Sequence, residues 1–180
     1  MASITLIVGG SVSGKSAHAE QLAKEMEKSD GGKVAYLATG VVIDEEFAVR
    51  VERHRKRRPK HWQTIEEPLY LRRAIRNLSA EVGILLIDGV GTWITNFIME
   101  NGFRQDLAEY FDRELQKLKE SLDGFEGHVL LVADEVGMGI IPESREARMF
   151  RDLNGLANQE LAKKAESVEQ VVCGFPRKIK

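Results

Sequence analysis

Five short, nearly continuous apolar runs mark the chain at residues 3–8, 33–38, 84–88, 128–133 and 169–173, with a shorter apolar-polar piece at 177–180. Runs such as "ILLI" and "VLLVA" are too short for helices and read as strands buried on both faces. Between them the pattern changes to a period near 3.6 over residues 14–28, 44–56, 69–78, 93–100, 105–122 and 144–165. In the fifth of these segments Leu107, Phe111, Leu115, Leu118 and Leu122 fall on one stripe, as a helix laid on a sheet requires. Strand and helix alternate along the chain. The expected architecture is an α/β fold with a mostly parallel sheet covered by helices on both faces.

At 180 residues the chain has the length of one substantial core, and a single domain spanning residues 1–180 is expected. No internal repeat, low-complexity segment or linker interrupts it. The first apolar run is far shorter than a membrane span and runs directly into glycine, so neither a membrane span nor a leader is expected. Cys173 is the only cysteine. It excludes an internal disulfide and fits a reducing, cytoplasmic setting.

In parallel α/β sheets ligands gather at the carboxyl ends of the strands. The first such end carries Gly9-Gly10-Ser11-Val12-Ser13-Gly14-Lys15-Ser16, which satisfies G-x-x-x-x-G-K-[ST] between a strand and an amphipathic helix. At average residue frequencies this pattern arises by accident in roughly one chain in a hundred or fewer. Its glycines let successive N–H groups face phosphate oxygens, and Lys15 adds a cation for the β and γ phosphates. Ser16 offers a hydroxyl to Mg²⁺, and the helix N-terminus adds a favourable dipole. A carboxylate from a neighbouring strand is then needed for the metal. Asp88, closing "ILLID", is the first candidate and Asp134-Glu135 the second.

Charge changes the picture in one place. The net charge is −2, yet residues 50–60 hold seven of the 26 Lys/Arg and one of the 28 Asp/Glu, leaving the remainder at −8. A positive patch so confined suits a small polyanion better than a nucleic-acid track, and no aromatic interleaving accompanies it. The stretch "DEEFAVRVERHRKRRPKHW" reads as a helix with acids in its first turn and bases in its last, closed by Pro59. Phe47, Val51 and His54 sit at i, i+4 and i+7, which turns the imidazole toward the protein among Arg53, Arg55, Arg57 and Arg58. Cations around it would keep the ring neutral and nucleophilic, and would stabilise charge on an attacked phosphate. The alternative is a histidine that only packs. His18, within the loop's helix, His61, beside Trp62, and His128, opening a strand, have weaker claims to chemistry.

Taken together, "GGSVSGKS", "YLATG", "RVERHRKRRPKHWQTIEEP", "LLIDGVGTWITN", "VADEVGMGIIPESREARMFRDLNGLANQELA" and "VVCGFPRKIK" resemble the bifunctional adenosylcobinamide kinase / adenosylcobinamide-phosphate guanylyltransferase family of cobalamin biosynthesis. The phosphate loop alone is generic, whereas R-x-x-H-x-x-x-R-P-x-x-W, NEVG/DEVG-x-G-I-x-P-E and FRD-x-x-G-x-x-NQ-x-x-A are specific. The resemblance implies a P-loop NTPase fold of recombinase type and assembly as a homotrimer. It implies two reactions. ATP or GTP phosphorylates the aminopropanol hydroxyl of adenosylcobinamide; GTP then guanylylates a histidine, and the phosphorylated corrinoid takes the GMP to become adenosylcobinamide-GDP. The guanylylated histidine falls on His54. Nucleotide-binding positions fall on residues 9–16, on Ala38, Thr39 and Gly40, on Arg55, Lys56, Arg57 and Arg58, on Glu66 and on Asp88, with Ser16 and Asp88 toward Mg²⁺. The simpler alternative is a monofunctional P-loop small-molecule kinase with a structural His54. Two positions depart from the family pattern: Val12 stands where arginine is common, and Gly91, in "DGVGTW", replaces the threonine of D-C-x-T-x-W.

Overall fold

The computed structural model describes residues 2–41 and 45–180, apart from the side chains of Glu46, Phe47 and Arg50. Asp44, the first residue of the expected second helix, and the inward-facing side chain expected of Phe47 lie outside the described residues. The elements run β1 (Ser3–Gly9), α1 (Lys15–Asp30), β2 (Lys33–Ala38), α2 (Glu45–Arg57), β3 (Gln63–Glu66), α3 (Leu71–Arg76) and β4 (Val82–Asp88). They continue through α4 (Val90–Asn101), α5 (Leu107–Asp123), β5 (His128–Asp134), α6 (Arg145–Lys164), β6 (Ser167–Val172) and β7 (Phe175–Lys178).

The seven strands form one sheet in the order β3-β2-β4-β5-β1-β6-β7, parallel except for β7, which returns antiparallel along β6. Alternation within the central strands explains the unbroken apolar runs. Ala35, Leu37, Leu85, Ile87, Val129 and Leu131 pack into the core under α3–α6, while Val34, Tyr36, Ile84, Leu86, Leu130 and Val132 face the α1 side with Trp62. The α5 stripe is buried as its spacing predicts. Phe111 anchors it, with its ring centroid 5.3 Å from those of both Trp93 and Phe97. Ser144 caps α6 by accepting the Ala147 N–H at 3.1 Å.

The main difference from the sequence expectation is β3. Its four residues, Gln63–Glu66, are mostly exposed at the sheet edge and carry one half-buried apolar side chain, Ile65, so no hydrophobic run announces them. Helix α4 also begins three residues earlier than its apolar period indicates, because Gly89, in a left-handed conformation, starts it directly behind Asp88.

Register gathers the site. Gly9 pairs with Asp134, and Ala38 pairs with Asp88 on one side and Glu66 on the other. The carboxyl ends of β1, β5, β4, β2 and β3 therefore present the phosphate loop and three acidic side chains along one rim of the sheet.

Candidate active site

Gly14 is the N-cap of α1, with φ at +97° and its Cα facing the β6–β7 turn; a Cβ there would lie 3.1 Å from the Cα of Gly174. The Gly174 N–H donates to the Ser13 carbonyl at 2.8 Å, so the C-terminal hairpin holds the loop from behind. Val12 stands out at the loop crest, 90% exposed with φ at +55°. A left-handed conformation costs a non-glycine residue about 1–2 kcal/mol, more at the upper end for a β-branched one, against roughly 0.5–1 kcal/mol of extra backbone entropy lost by glycine. Val12→Gly is therefore expected to stabilise the chain, by up to about 1 kcal/mol, read as a rise in thermal midpoint; a fall would contradict the strain.

Lys15 is buried, and its Nζ lies 3.1 Å from the Gly10 carbonyl and 2.7 Å from Asp134 Oδ1. Ser16 Oγ donates to Asp88 Oδ1 at 3.0 Å. The other Asp88 oxygen accepts the Tyr36 hydroxyl and faces His54 Nδ1 at 3.5 Å. Burial alone would raise the Asp88 pKa, but the bonds from His54, Tyr36 and Ser16 prevail and hold it below the usual carboxylate range. Burial and the Asp88 charge push the Tyr36 phenol far up, so it stays a donor.

The fourth wall is α2. Arg57 forks onto Glu20 of α1, with Nε and one Nη at 3.2 and 3.3 Å from the two carboxylate oxygens, and Arg58 lies over the Tyr36 ring, 3.4 Å from its centroid. These two contacts seat the helix end that carries His54. Glu20 is buried, so removing its partner leaves a desolvated charge. Arg57→Ala is expected to cost about 2 kcal/mol, below the roughly 3–5 kcal/mol of a fully buried pair because the arginine side chain is 38% exposed. Denaturant midpoints check this; an unchanged midpoint would show that the pair does not seat the helix.

The resulting cleft has a volume of about 290 Å³. Of the residues expected around a nucleotide, it is lined by Ser11, Lys15, Ser16, Ala38, Gly40, His54, Arg55, Arg58, Glu66 and Asp88. Val51 also lines it, one turn before His54. Others serve differently. Thr39 is fully buried and donates its hydroxyl to the Gly89 carbonyl at 2.7 Å, bracing β2 against β4. Lys56 faces Glu52 at 3.8 Å, and Arg57 is spent on Glu20. Arg55 pairs with Glu66 at the cleft mouth. Arg55, Arg57 and Arg58 of the basic run are thus engaged within the protein.

His18 pairs with Glu169 at 2.5 Å, His61 with Glu27 at 2.9 Å and His128 with Asp30 at 2.8 Å, each away from the cleft. His54 differs in facing it. The sequence places His54 among cations; the structure adds the carboxylate of Asp88, 3.5 Å from its Nδ1. It also brings forward Asp134, ranked second as a metal carboxylate, as the partner of Lys15, together with Tyr36, which carried no polar signal within an apolar strand.

Comparison with known proteins decides the family. Residues 5–179 match the model of cobinamide kinase / cobinamide phosphate guanyltransferase. The chain belongs to this family. Relatives include the bifunctional adenosylcobalamin biosynthesis protein CobU of Escherichia coli K12, 40% identical over 97% of this chain and 98% of that relative. The protein of the same name from Salmonella typhimurium is 38% identical over 97% and 98%, and CobP of Pseudomonas aeruginosa is 39% identical over 97% and 96%. Among solved structures the chain is similar to the ATPase domain of G40P, with a TM-score of 0.52 at 12% identity, covering 93% of this chain and 68% of that one. That likeness supports the α/β P-loop NTPase fold. Among the described residues no helix is long and apolar enough to cross a membrane.

Proposed function

We propose that this family member carries both activities in one domain, and that they share the cleft. In the first, the aminopropanol hydroxyl of adenosylcobinamide attacks the γ-phosphorus of ATP or GTP. The bond to the β–γ bridging oxygen breaks and the nucleoside diphosphate departs. In the second, His54 attacks the α-phosphorus of GTP, a P–N bond forms and pyrophosphate leaves. A phosphate oxygen of adenosylcobinamide phosphate then displaces the imidazole, giving adenosylcobinamide-GDP.

The observation that carries this reading is the position of His54. Its Nδ1 faces the same Asp88 carboxylate that accepts the hydroxyl of Ser16 from the phosphate loop. A ring whose Nδ1–H is held by a carboxylate presents Nε2 as its nucleophile, the logic of a histidine oriented by an acid. Lys15 and the N-terminus of α1 would receive the phosphates, with Arg58 supplying positive charge from the opposite wall. Ser16 Oγ and Asp88 are hard oxygen donors at a helix N-terminus, a set that fits Mg²⁺ and would hold it; when bound, the ion neutralises charge on the phosphate oxygens. A cytoplasmic homotrimer, implied by resemblance, belongs to the same reading.

Product analysis tests it. Incubation with adenosylcobinamide, Mg²⁺ and GTP is expected to yield adenosylcobinamide phosphate and then adenosylcobinamide-GDP, resolved by chromatography and mass. Phosphate ester alone would reduce the chain to a kinase whose His54–Asp88 contact is structural.

A further inference from the structure

The cleft has two kinds of wall. On the side of α2 and β3 its mouth is charged, with Arg55 paired to Glu66 and Arg58 lining it. On the side of β5 and α6, beyond Asp134, it is apolar and lined by Val136 and Phe150. Val136 belongs to the segment 135–144 that joins β5 to α6. Gly9 of β1 pairs with Asp134 of β5, and Asp134 touches Lys15, so this segment leaves the sheet directly beside the phosphate loop. It is fastened at both ends: Glu135 accepts the Gly137 N–H at 2.6 Å, and Arg148 donates from α6 to the carbonyls of Pro142 and Glu143 at 2.9 and 2.5 Å. Between these ties it turns large apolar side chains to solvent, Met138 at 83%, Ile140 at 94% and Ile141 at 70% exposure. Clustered exposed apolar side chains mark an interaction site where scattered single ones do not.

The acceptor of the proposed reactions accounts for what covers them. Pockets that enclose a drug-sized ligand run to roughly 300–1,000 Å³. At about 290 Å³ the cleft is taken up by a nucleotide. A cobinamide, a flat macrocycle with apolar faces and amide-bearing edges, must therefore stay outside it, with only its aminopropanol arm reaching the phosphates. The mouth on the α2 side is occupied by the Arg55–Glu66 pair, which leaves the apolar β5–α6 side for that arm. Resting on the function proposed above, we propose that residues 136–141 are the docking surface for the corrin macrocycle. Met138, Ile140 and Ile141 lie against its apolar face, and Val136 and Phe150 guide the arm toward Lys15. Exposed Gly139 leaves main-chain N–H and carbonyl groups open to the amides of the macrocycle's edge. The same surface serves both reactions, since both acceptors carry the same macrocycle.

A docking surface is separable from the chemistry. Contacts made equally to substrate and transition state lower KM and leave kcat alone. Binding of GTP and its transfer to His54 need no corrinoid and serve as internal controls. The experiment uses the full chain with Mg²⁺ and compares wild type, Met138→Ser, Ile140→Ser and Ile140→Leu. Four quantities are read: steady-state phosphorylation of adenosylcobinamide, GTP affinity by calorimetry, labelling from α-³²P GTP, and molecular mass by light scattering. For both serine variants the expected result is a KM for adenosylcobinamide raised about tenfold, with kcat, GTP Kd, labelling and mass as in wild type. Ile140→Leu, which keeps the apolar volume, is expected to stay within about twofold of wild type. Serine variants whose KM stays within about twofold of wild type would overturn the proposal. So would a change of oligomeric mass in either, which would make the segment a contact between copies of the chain. Should one serine variant not fold, the other decides alone. A wild-type protein that phosphorylates no adenosylcobinamide would refute the proposed function itself, a result distinct from failure of the docking assignment.

Discussion

Lys15→Ala is expected to suppress phosphorylation and guanylyl transfer together, each by roughly 10²–10³-fold or more, if, as proposed, one cation serves the phosphates in both reactions. The ammonium is buried at the N-terminus of α1, held by the Gly10 carbonyl and Asp134. Among the described residues no second lysine lines the cleft. Truncation also leaves the Asp134 carboxylate facing the loop without its partner, adding repulsion toward any incoming triphosphate. Affinity for GTP and both rates therefore fall, which calorimetry and product assays read directly. The fold should persist, since the sheet contributes far more burial than this one side chain, and circular dichroism checks that. Retention of either activity at a near wild-type rate would mean that the two reactions do not share the phosphate loop.

His54→Asn is the complementary case. Asparagine offers an amide N–H in the direction of Asp88 but no nucleophilic nitrogen, so guanylyl transfer is expected to fall by several orders of magnitude, the scale on which loss of a covalent nucleophile is felt. Phosphorylation is expected to remain within several-fold of wild type. Asp88 keeps its bonds from Ser16 and Tyr36, and Lys15 is held by the Gly10 carbonyl and Asp134 rather than through His54. Equal loss of both activities in a folded His54→Asn protein would contradict the division of labour.

How much of this is legible in the sequence depends on what each residue signals locally. The buried strands read clearly because parallel β1, β2, β4 and β5 are apolar on both faces, and the phosphate loop reads clearly because its spacing is fixed by backbone geometry. Strand β3 is silent, being short, exposed and held by pairing to β2 rather than by its own side chains. His54 is legible as inward-facing from its spacing to Val51, yet its orienting partner is not: Asp88 lies 34 positions away, and only the sheet register brings it under α2. The run of bases after His54 looks uniform in sequence but splits in space. Arg57 clamps Glu20, Arg58 covers Tyr36, and Arg55 closes on Glu66 at the mouth. Gly91 reads only as a departure from a motif until a Cβ is placed on it, 2.5 Å from Asp134 Oδ2.

The most direct measurement is incubation of wild type and His54→Asn with Mg²⁺ and α-³²P-labelled GTP, followed by denaturing electrophoresis. Label on the wild type alone, labile to acid and stable to alkali as a phosphoramidate requires, is the expected result and establishes the guanylyl-histidine route. Protein that binds GTP yet takes no label, or equal labelling of both forms, would contradict it and leave His54 a structural partner of Asp88.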